Sequence, residues 1–268
     1  MFAEIFPRGG RPVEGVGEVD ARARRSQIDS KSATMRGASV CRAASRSLTL
    51  DVAASRLARR CTPGSDADAS LAQRLLAGGR AKHAAVLVPL FESDEAGGEV
   101  SVWLTRRSST NVSTHKGEVS FPGGKSEPGE SAQDTALREA GEECGLVSDK
   151  VIGCLRPVLS KHGLVVTPVV CTLPRGHRRP CPTSEEVDLV FQAPLRIFNS
   201  ECASTTYRSE QYVHNDTPYT VHFFEYDDGT QTHVIWGLTA HILIEVAESA
   251  LSAKPFFPKH LGRDRPRL

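Results

Sequence analysis

Residues 124–146 read GKSEPGESAQDTALREAGEECGL, and this stretch decides how the rest of the chain is read. Glu139, Glu142 and Glu143 stand at offsets of three and four, so a helix carries them on one face. Three carboxylates crowded there repel one another unless a cation lies between them, and Arg138 beside them neutralises only part of that charge. Oxygen donors with no soft partner nearby favour Mg2+ or Mn2+ over zinc. A helix is expected because Ser131 suits its N-cap, Ala132, Ala136, Leu137 and Ala140 supply an apolar side, and Gly145 suits its end. Pro128-Gly129 is a turn pair ahead of it. Gly123 and Gly124 follow a strand-like Val119-Ser120-Phe121 and Pro122, and read as a flexible loop whose backbone can approach a phosphate closely. Such a loop–helix–loop turns its charged face outward and lays its apolar face on a sheet. On charge alone, a solvated acidic helix face competes with this reading.

The same residues resemble the Nudix box, G-x5-E-x7-R-E-U-x-E-E-x-G-U. The matched positions are Gly124, Glu130, Arg138, Glu139, Ala140, Glu142, Glu143, Gly145 and Leu146, with Ala140 a small version of the aliphatic residue the pattern asks for. Nine fixed positions within 23 residues separate the match from an ordinary charge run. The resemblance implies an α/β/α sandwich around a mixed β-sheet, where periodicity alone gives only α/β. It also implies Mg2+ or Mn2+ as cofactor, and hydrolysis of a nucleoside diphosphate linked to another moiety. Glu139 and Glu143, one turn apart, are the expected main ligands. Glu142 is expected as a third ligand or as the carboxylate that orients water. Arg138 joins it in the catalytic group by orienting a glutamate through a bidentate pair. Gly124, Glu130 and Gly145 are the structural positions of the box.

Just upstream, residues 103–124 read WLTRRSSTNVSTHKGEVSFPGG. They resemble the LLT-x-RS…HKG-x-V-x-FPGG motif of the coenzyme A pyrophosphatase branch of the family. Thr105, Arg107, Ser108, His115, Lys116, Gly117, Val119, Phe121, Pro122, Gly123 and Gly124 fit it. Two departures stand out: Trp103 replaces an aliphatic residue, and the segment 108–117 lacks the Arg often present there. If that Arg contacts a phosphate, Arg106, Arg107, His115 or Lys116 must replace it. The resemblance thus implies a basic pocket in which Arg107, His115, Lys116, Gly123 and Gly124 bind substrate, against the plainer reading of a surface hairpin of unpaired cations. A third stretch, TSEEVDLVFQAPL (183–195) followed by VIWGLTAHILIEVA (234–247), resembles the C-terminal part of the same enzymes. Trp236-Gly237 breaks a strand there, and Ile242, Leu243, Val246 and Ala247 form a buried helical stripe. For Trp236 and Thr239, packing and capping compete with substrate contact. Glu185 and Glu186 are candidates for an extra carboxylate near the metal.

A net charge of +1 argues against a nucleic-acid binder driven by bulk electrostatics, and 39% apolar residues suffice for a core. No apolar run approaches the ~18 residues of a membrane span; the longest, AAVLVPLF at 84–91, contains Pro89 and reads as a strand. Seven cysteines without a CxxC spacing suggest an intracellular reducing compartment. The expected organisation is a disordered arm or targeting segment over 1–62, a catalytic domain over 63–254 and a basic tail over 255–268. Residues 1–62 hold eleven Arg and one Lys against six acids. The part from Met35 to Cys61 alternates Arg with small and aliphatic residues, as an organelle-import presequence does, and Met35 is a possible start. Mitochondrion is the first expected address; Pro266-Arg267-Leu268, similar to a peroxisomal signal, makes peroxisome the second.

Within the domain, a helix is expected over 69–77, and strands over 82–91, 100–105, 117–121, 151–159, 165–173, 219–225 and 233–236. Residues 186–192 are expected as helix or strand, and a final helix over 239–251. The expected function is metal-dependent hydrolysis of coenzyme A or its derivatives to 3′,5′-adenosine diphosphate and 4′-phosphopantetheine species. A small-molecule substrate is the only partner implied. The alternatives are an ADP-ribose or dinucleotide diphosphatase, and a Nudix module that binds nucleotides without hydrolysis.

Overall fold

The structure is a computed structural model that describes residues 49–61, 82–95, 97–110, 116–148, 150–160, 164–214 and 217–259. The helix expected over 69–77, His115 and the chain ends lie outside these residues. Apolar runs buried on both faces make the central strands. In β1 (Lys82–Ser93), Ala85 and Leu87 point to one side of the sheet, while Ala84, Val86, Val88 and Leu90 point to the other. Such two-sided burial belongs to a strand covered on both faces. β1 pairs in parallel with β7 (Leu164–Thr172) and antiparallel with β2 (Glu99–Arg107).

The main sheet runs β3-β2-β1-β7-β5, with β3 Val119–Ser120 and β5 Lys150–Cys154 at its ends. β4 (Gly123–Lys125) adds to β1, β6 (Val158–Leu159) to β7, and β8 (Val187–Pro194) to β2. Residues 186–192, open between helix and strand in the sequence, are therefore strand. The expected strand over 151–159 is split, since β5 and β6 each pair with β7 but the chain between them does not. Pro89 falls between the part of β1 paired with β4 and the part paired with β2, so its missing N–H breaks neither ladder.

One helix, α2 (Ala132–Cys144), covers one face of the sheet. The other face is covered by α1 (Leu50–Ala58), α3 (Gly237–Leu251) and a second antiparallel sheet. Its strands are β9 (Thr205–His214), β10 (Thr217–Asp227) and β11 (Thr232–Trp236), in the order β11-β10-β9. The result is the mixed-sheet α/β/α sandwich. Among the described residues no helix is long and apolar enough to cross a membrane.

Two boundaries differ from expectation. The disordered arm was expected to run through residue 62, yet α1 lies inside that stretch. Leu50, Ala53 and Leu57 share one helical face, and Ala53 and Leu57 are fully buried in the core. Thr49 caps the helix, and Arg56 Nη1 donates to the Ala250 carbonyl at 2.8 Å. Of the arginines in the presequence-like stretch, Arg56 lies on this short amphipathic helix, half-buried, while Arg59 and Arg60 are exposed at its end. At the other end, residues 255–259 are packed rather than a free tail. Phe257 is buried against Tyr207, with ring centroids 4.2 Å apart, and the Phe256 amide donates to Asn199 O at 3.0 Å. Leu57→Ala is expected to cost about 3 kcal/mol, as for a fully buried leucine. It should lower the urea midpoint without changing the slope, and an unchanged midpoint would show that α1 does not stabilise the domain.

Candidate active site

Helix α2 begins and ends at the residues that favour it. Ser131 Oγ accepts from the Asp134 amide at 3.1 Å, and Gly145 closes the helix in the left-handed region, φ 65°. Ala136, Ala140 and Cys144 pack towards Ala85, Leu87 and Val169, which fixes the rotation of the helix about its axis. The three glutamates then diverge. Glu143 is buried against β4, Glu139 is half-buried, and Glu142 is exposed.

Glu143 Oε2 accepts from the Gly123 amide at 3.1 Å. Burial pushes its carboxyl up to about 7; that hydrogen bond and the nearby Arg107 pull it down, while Glu139 and Glu186 push it further up. Glu139 is also raised, chiefly by burial, with Arg138 opposing. Gly124 lies under Glu139 so closely that a Cβ there would stand 2.3 Å from the carboxylate carbon. Gly123 and Gly124 are thus a short strand rather than the flexible loop expected. The glycines are needed because β1 and Glu139 leave no room for a side chain, and the Gly123 N–H faces Glu143, not an open phosphate site.

Arg138 sets the outer face. Its Nε and Nη2 grip Glu130 in a bidentate pair at 2.7 and 3.0 Å. Nη1 reaches Glu139 Oε1 at 3.0 Å and Glu142 Oε2 at 3.1 Å, and Nη2 also donates to Lys125 O at 3.3 Å. The Arg138 guanidinium holds Glu130 down to about 2. Glu130 also accepts from the Glu127 amide and the Thr135 hydroxyl, both at 2.9 Å, tying the turn to the helix. The bidentate partner is therefore Glu130 and not one of the expected ligands, and every donor role of Arg138 goes to this chain's own oxygens. That leaves Arg138 as a positioning residue.

Arg107, expected at the substrate, instead lies buried beneath the cluster. Its Nη2 pairs with Glu186 Oε2 at 3.3 Å, and its Nε is buried with no partner among the described residues. Lys116 is exposed in a turn with Gly117, whose amide donates to Arg107 O at 3.1 Å. Beside that turn, the Ser109 amide donates to Asp188 Oδ2 at 2.9 Å. Glu185 and Glu186 are both exposed. Glu186, on the segment entering β8, acts electrostatically on both Glu139 and Glu143. This segment is bound to the end of α2: the Thr183 hydroxyl donates to Glu142 O at 2.7 Å, its amide to Glu143 O at 3.0 Å, and the Cys181 amide to Cys144 O at 3.2 Å. Thr183 and Asp188 escaped sequence reading, because a capping threonine or a loop-tying aspartate leaves no spacing signal.

Among the described residues, no three of His, Cys, Asp and Glu are already gathered about one point. Arg138 draws Glu139 and Glu142 to the outer side, whereas Glu143 lies inward. The donor set nonetheless suits a hard divalent cation. Glu139 and Glu143 lie one helical turn apart, both raised by burial, with Glu186 adding negative charge and no sulfur or imidazole among them.

The chain belongs to the Nudix family. The NUDIX domain model matches residues 81–202, which contain the whole cluster around α2. The chain is similar to two Arabidopsis thaliana proteins, Nudix hydrolase 22, chloroplastic (45% identical over 182 residues) and Nudix hydrolase 15, mitochondrial (44% over 180). Each alignment takes in 66% of this chain, but the chain spans only 58% and 61% of those proteins' lengths. It is 37% identical over 206 residues to the human mitochondrial coenzyme A diphosphatase NUDT8, covering 71% of this chain and 80% of that one.

Proposed function

We propose that the protein is a divalent-metal-dependent diphosphatase acting on coenzyme A or its derivatives, giving 3′,5′-adenosine diphosphate and 4′-phosphopantetheine species. The observation that carries this reading is the buried Glu143, poised one turn from Glu139 and within electrostatic reach of Arg107, whose carbonyl holds the Gly117 amide of the upstream motif. The human relative's name adds support for the coenzyme A end.

Glu139 and Glu143 would hold Mg2+ or Mn2+, and Glu142 would join them by leaving its exposed pair with Arg138. The ion, when bound, supplies the positive charge that polarises the phosphoryl group and acidifies water. Arg138 and Glu130 keep α2 at a fixed distance from the turn before it. Arg107 holds Glu186 over the pair of ligands, where Glu186 is placed to orient a water or take its proton. Lys116, exposed in the turn of the upstream motif, would supply a cation for the phosphate oxygens. A mitochondrial destination belongs to the same reading, supported by the Arg-rich sequence at 35–48 and by the names of two relatives.

The test is product analysis by mass spectrometry on the full chain with Mg2+ or Mn2+, coenzyme A in one tube and ADP-ribose in another. 4′-Phosphopantetheine together with 3′,5′-adenosine diphosphate is the expected result, abolished by EDTA. Turnover of ADP-ribose alone would keep the metal chemistry and overturn the coenzyme A reading. Saturable nucleotide binding with no turnover at any metal concentration would replace the enzyme with a binding module.

A further inference from the structure

The outward face of the small sheet carries an aromatic stack that the proposed chemistry leaves unused. One cross-strand row runs from Arg208 on β9 through Phe223 on β10 to Trp236 on β11. The Arg208 guanidinium lies 3.8 Å over the Phe223 ring. The Phe223 and Trp236 rings are stacked, with centroids 5.6 Å apart and 5° between their planes. The alternating residues Tyr207, Phe224 and Ile235 pack into or against the core, whereas Thr206, Arg208 and Val234, on the side of the stack, are exposed. β11 ends the hydrogen-bonded order of its sheet and lies beside β3, and Phe223 covers one face of the indole. Trp236 is accordingly half-buried, although Phe223 is only 9% exposed.

The stack is tied to the segment that leads into the carboxylate cluster. Thr239, three residues after Trp236, donates its hydroxyl to Val119 O at 3.1 Å. Val119 is two residues past Gly117 and four before Gly123, whose amide holds Glu143. Four residues of chain span at most about 14 Å, so the Val119 carbonyl that Thr239 holds lies within that distance of Gly123.

We propose that the face of the Trp236 indole turned away from Phe223 is a stacking platform for the purine base of the nucleotide substrate. This rests on the diphosphatase reading above. Arg208 and Phe223 fix the indole before the base arrives, so little side-chain freedom remains to be lost on binding. Stacking on an aromatic ring is tolerant of base identity, and its removal commonly weakens binding by about tenfold or more.

The chain has two tryptophans, and Trp103 is buried on the α2 side of the main sheet. A Trp103→Phe variant of the full chain therefore leaves Trp236 as its one indole emitter. Titrating it with 3′,5′-adenosine diphosphate should quench the emission saturably, and 4′-phosphopantetheine, which lacks a base, should not. Trp236→Leu should raise KM for coenzyme A by about tenfold with kcat changed less than about threefold, and Trp236→Phe should recover most of the loss. A flat emission trace, or an unaltered KM in Trp236→Leu, overturns the platform and leaves the diphosphatase reading standing. If no substrate is hydrolysed, that reading falls and the titration decides the platform alone: saturable quenching upholds it and a flat trace removes it.

Discussion

Glu143→Gln is expected to abolish metal-dependent turnover, by on the order of a thousandfold, while leaving the metal-free protein at least as stable as its parent. The two effects have one origin. Burial raises the Glu143 carboxyl to about 7, against 4.5 for the ordinary group. At about 1.4 kcal/mol per pH unit, holding it ionised in the native state costs about 3 kcal/mol. Because the native value lies above the unfolded one, the native state keeps the proton between them. The stabilising contribution is complete below about 4.5 and is lost as pH rises through about 7. In EDTA, the thermal midpoint of the parent should carry a downward component between pH 5 and 8. The glutamine variant should lack that component, since its amide oxygen can still accept from Gly123. Calorimetric melts at four pH values, paired with turnover assays, check both halves. Full activity in the variant would remove Glu143 from the metal, and a collapse in its stability would mean that the carboxylate is paired by something other than Gly123.

Adjacent glycines should fail in opposite ways. In Gly123→Ala the new methyl would stand 2.4 Å from Ala85 O and 2.6 Å from Val86 Cα. Both belong to the backbone of the central strand, so β4 must peel away from β1, and a loss of about 4 kcal/mol or more is expected. In Gly124→Ala the three atoms nearest the methyl all belong to the Glu139 carboxylate, at 2.3–2.5 Å. That group ends a flexible side chain and can rotate aside, so stability should change by less than about 1 kcal/mol. Metal affinity and turnover should fall by about a hundredfold, because the displaced oxygens no longer point at the ion. Circular dichroism melts separate the first variant from the second, and Mn2+ calorimetry separates the second from the parent. A stable Gly123→Ala, or a Gly124→Ala with normal metal affinity, would contradict the packing that ties these residues to the site.

The sandwich and helix α2 were readable because their signals are local. The offsets of Glu139, Glu142 and Glu143, the cap at Ser131 and the stop at Gly145 depend only on helix geometry. What the helix faces does not. Glu142 shares a helical side with Glu143 in projection, yet the packing of Ala136, Ala140 and Cys144 turns one outward and the other under β4. Arg107 reads as a surface cation and is instead buried, because β8 folds over the end of β2 and brings Glu186 to it. Strand β9 was missed altogether: TTYRSEQYVH has too many polar residues for a core strand. Its pairing with β10, and the burial of Tyr207 among Phe224, Phe256 and Phe257, form only once the distant segments have met.

Helix α1 would limit any N-terminal processing of this chain. Its Leu57 is part of the core, and its first amide is held by Glu92 Oε1, 2.9 Å away at the far end of β1. A processing protease that removes an address peptide therefore has a boundary. A cut before Thr49 leaves every contact between the helix and the described residues in place, whereas a cut at Thr62 strips Leu57 and Ala53 from the interior. If an address peptide is removed from this chain, N-terminal sequencing of the processed form should place the cut upstream of residue 49.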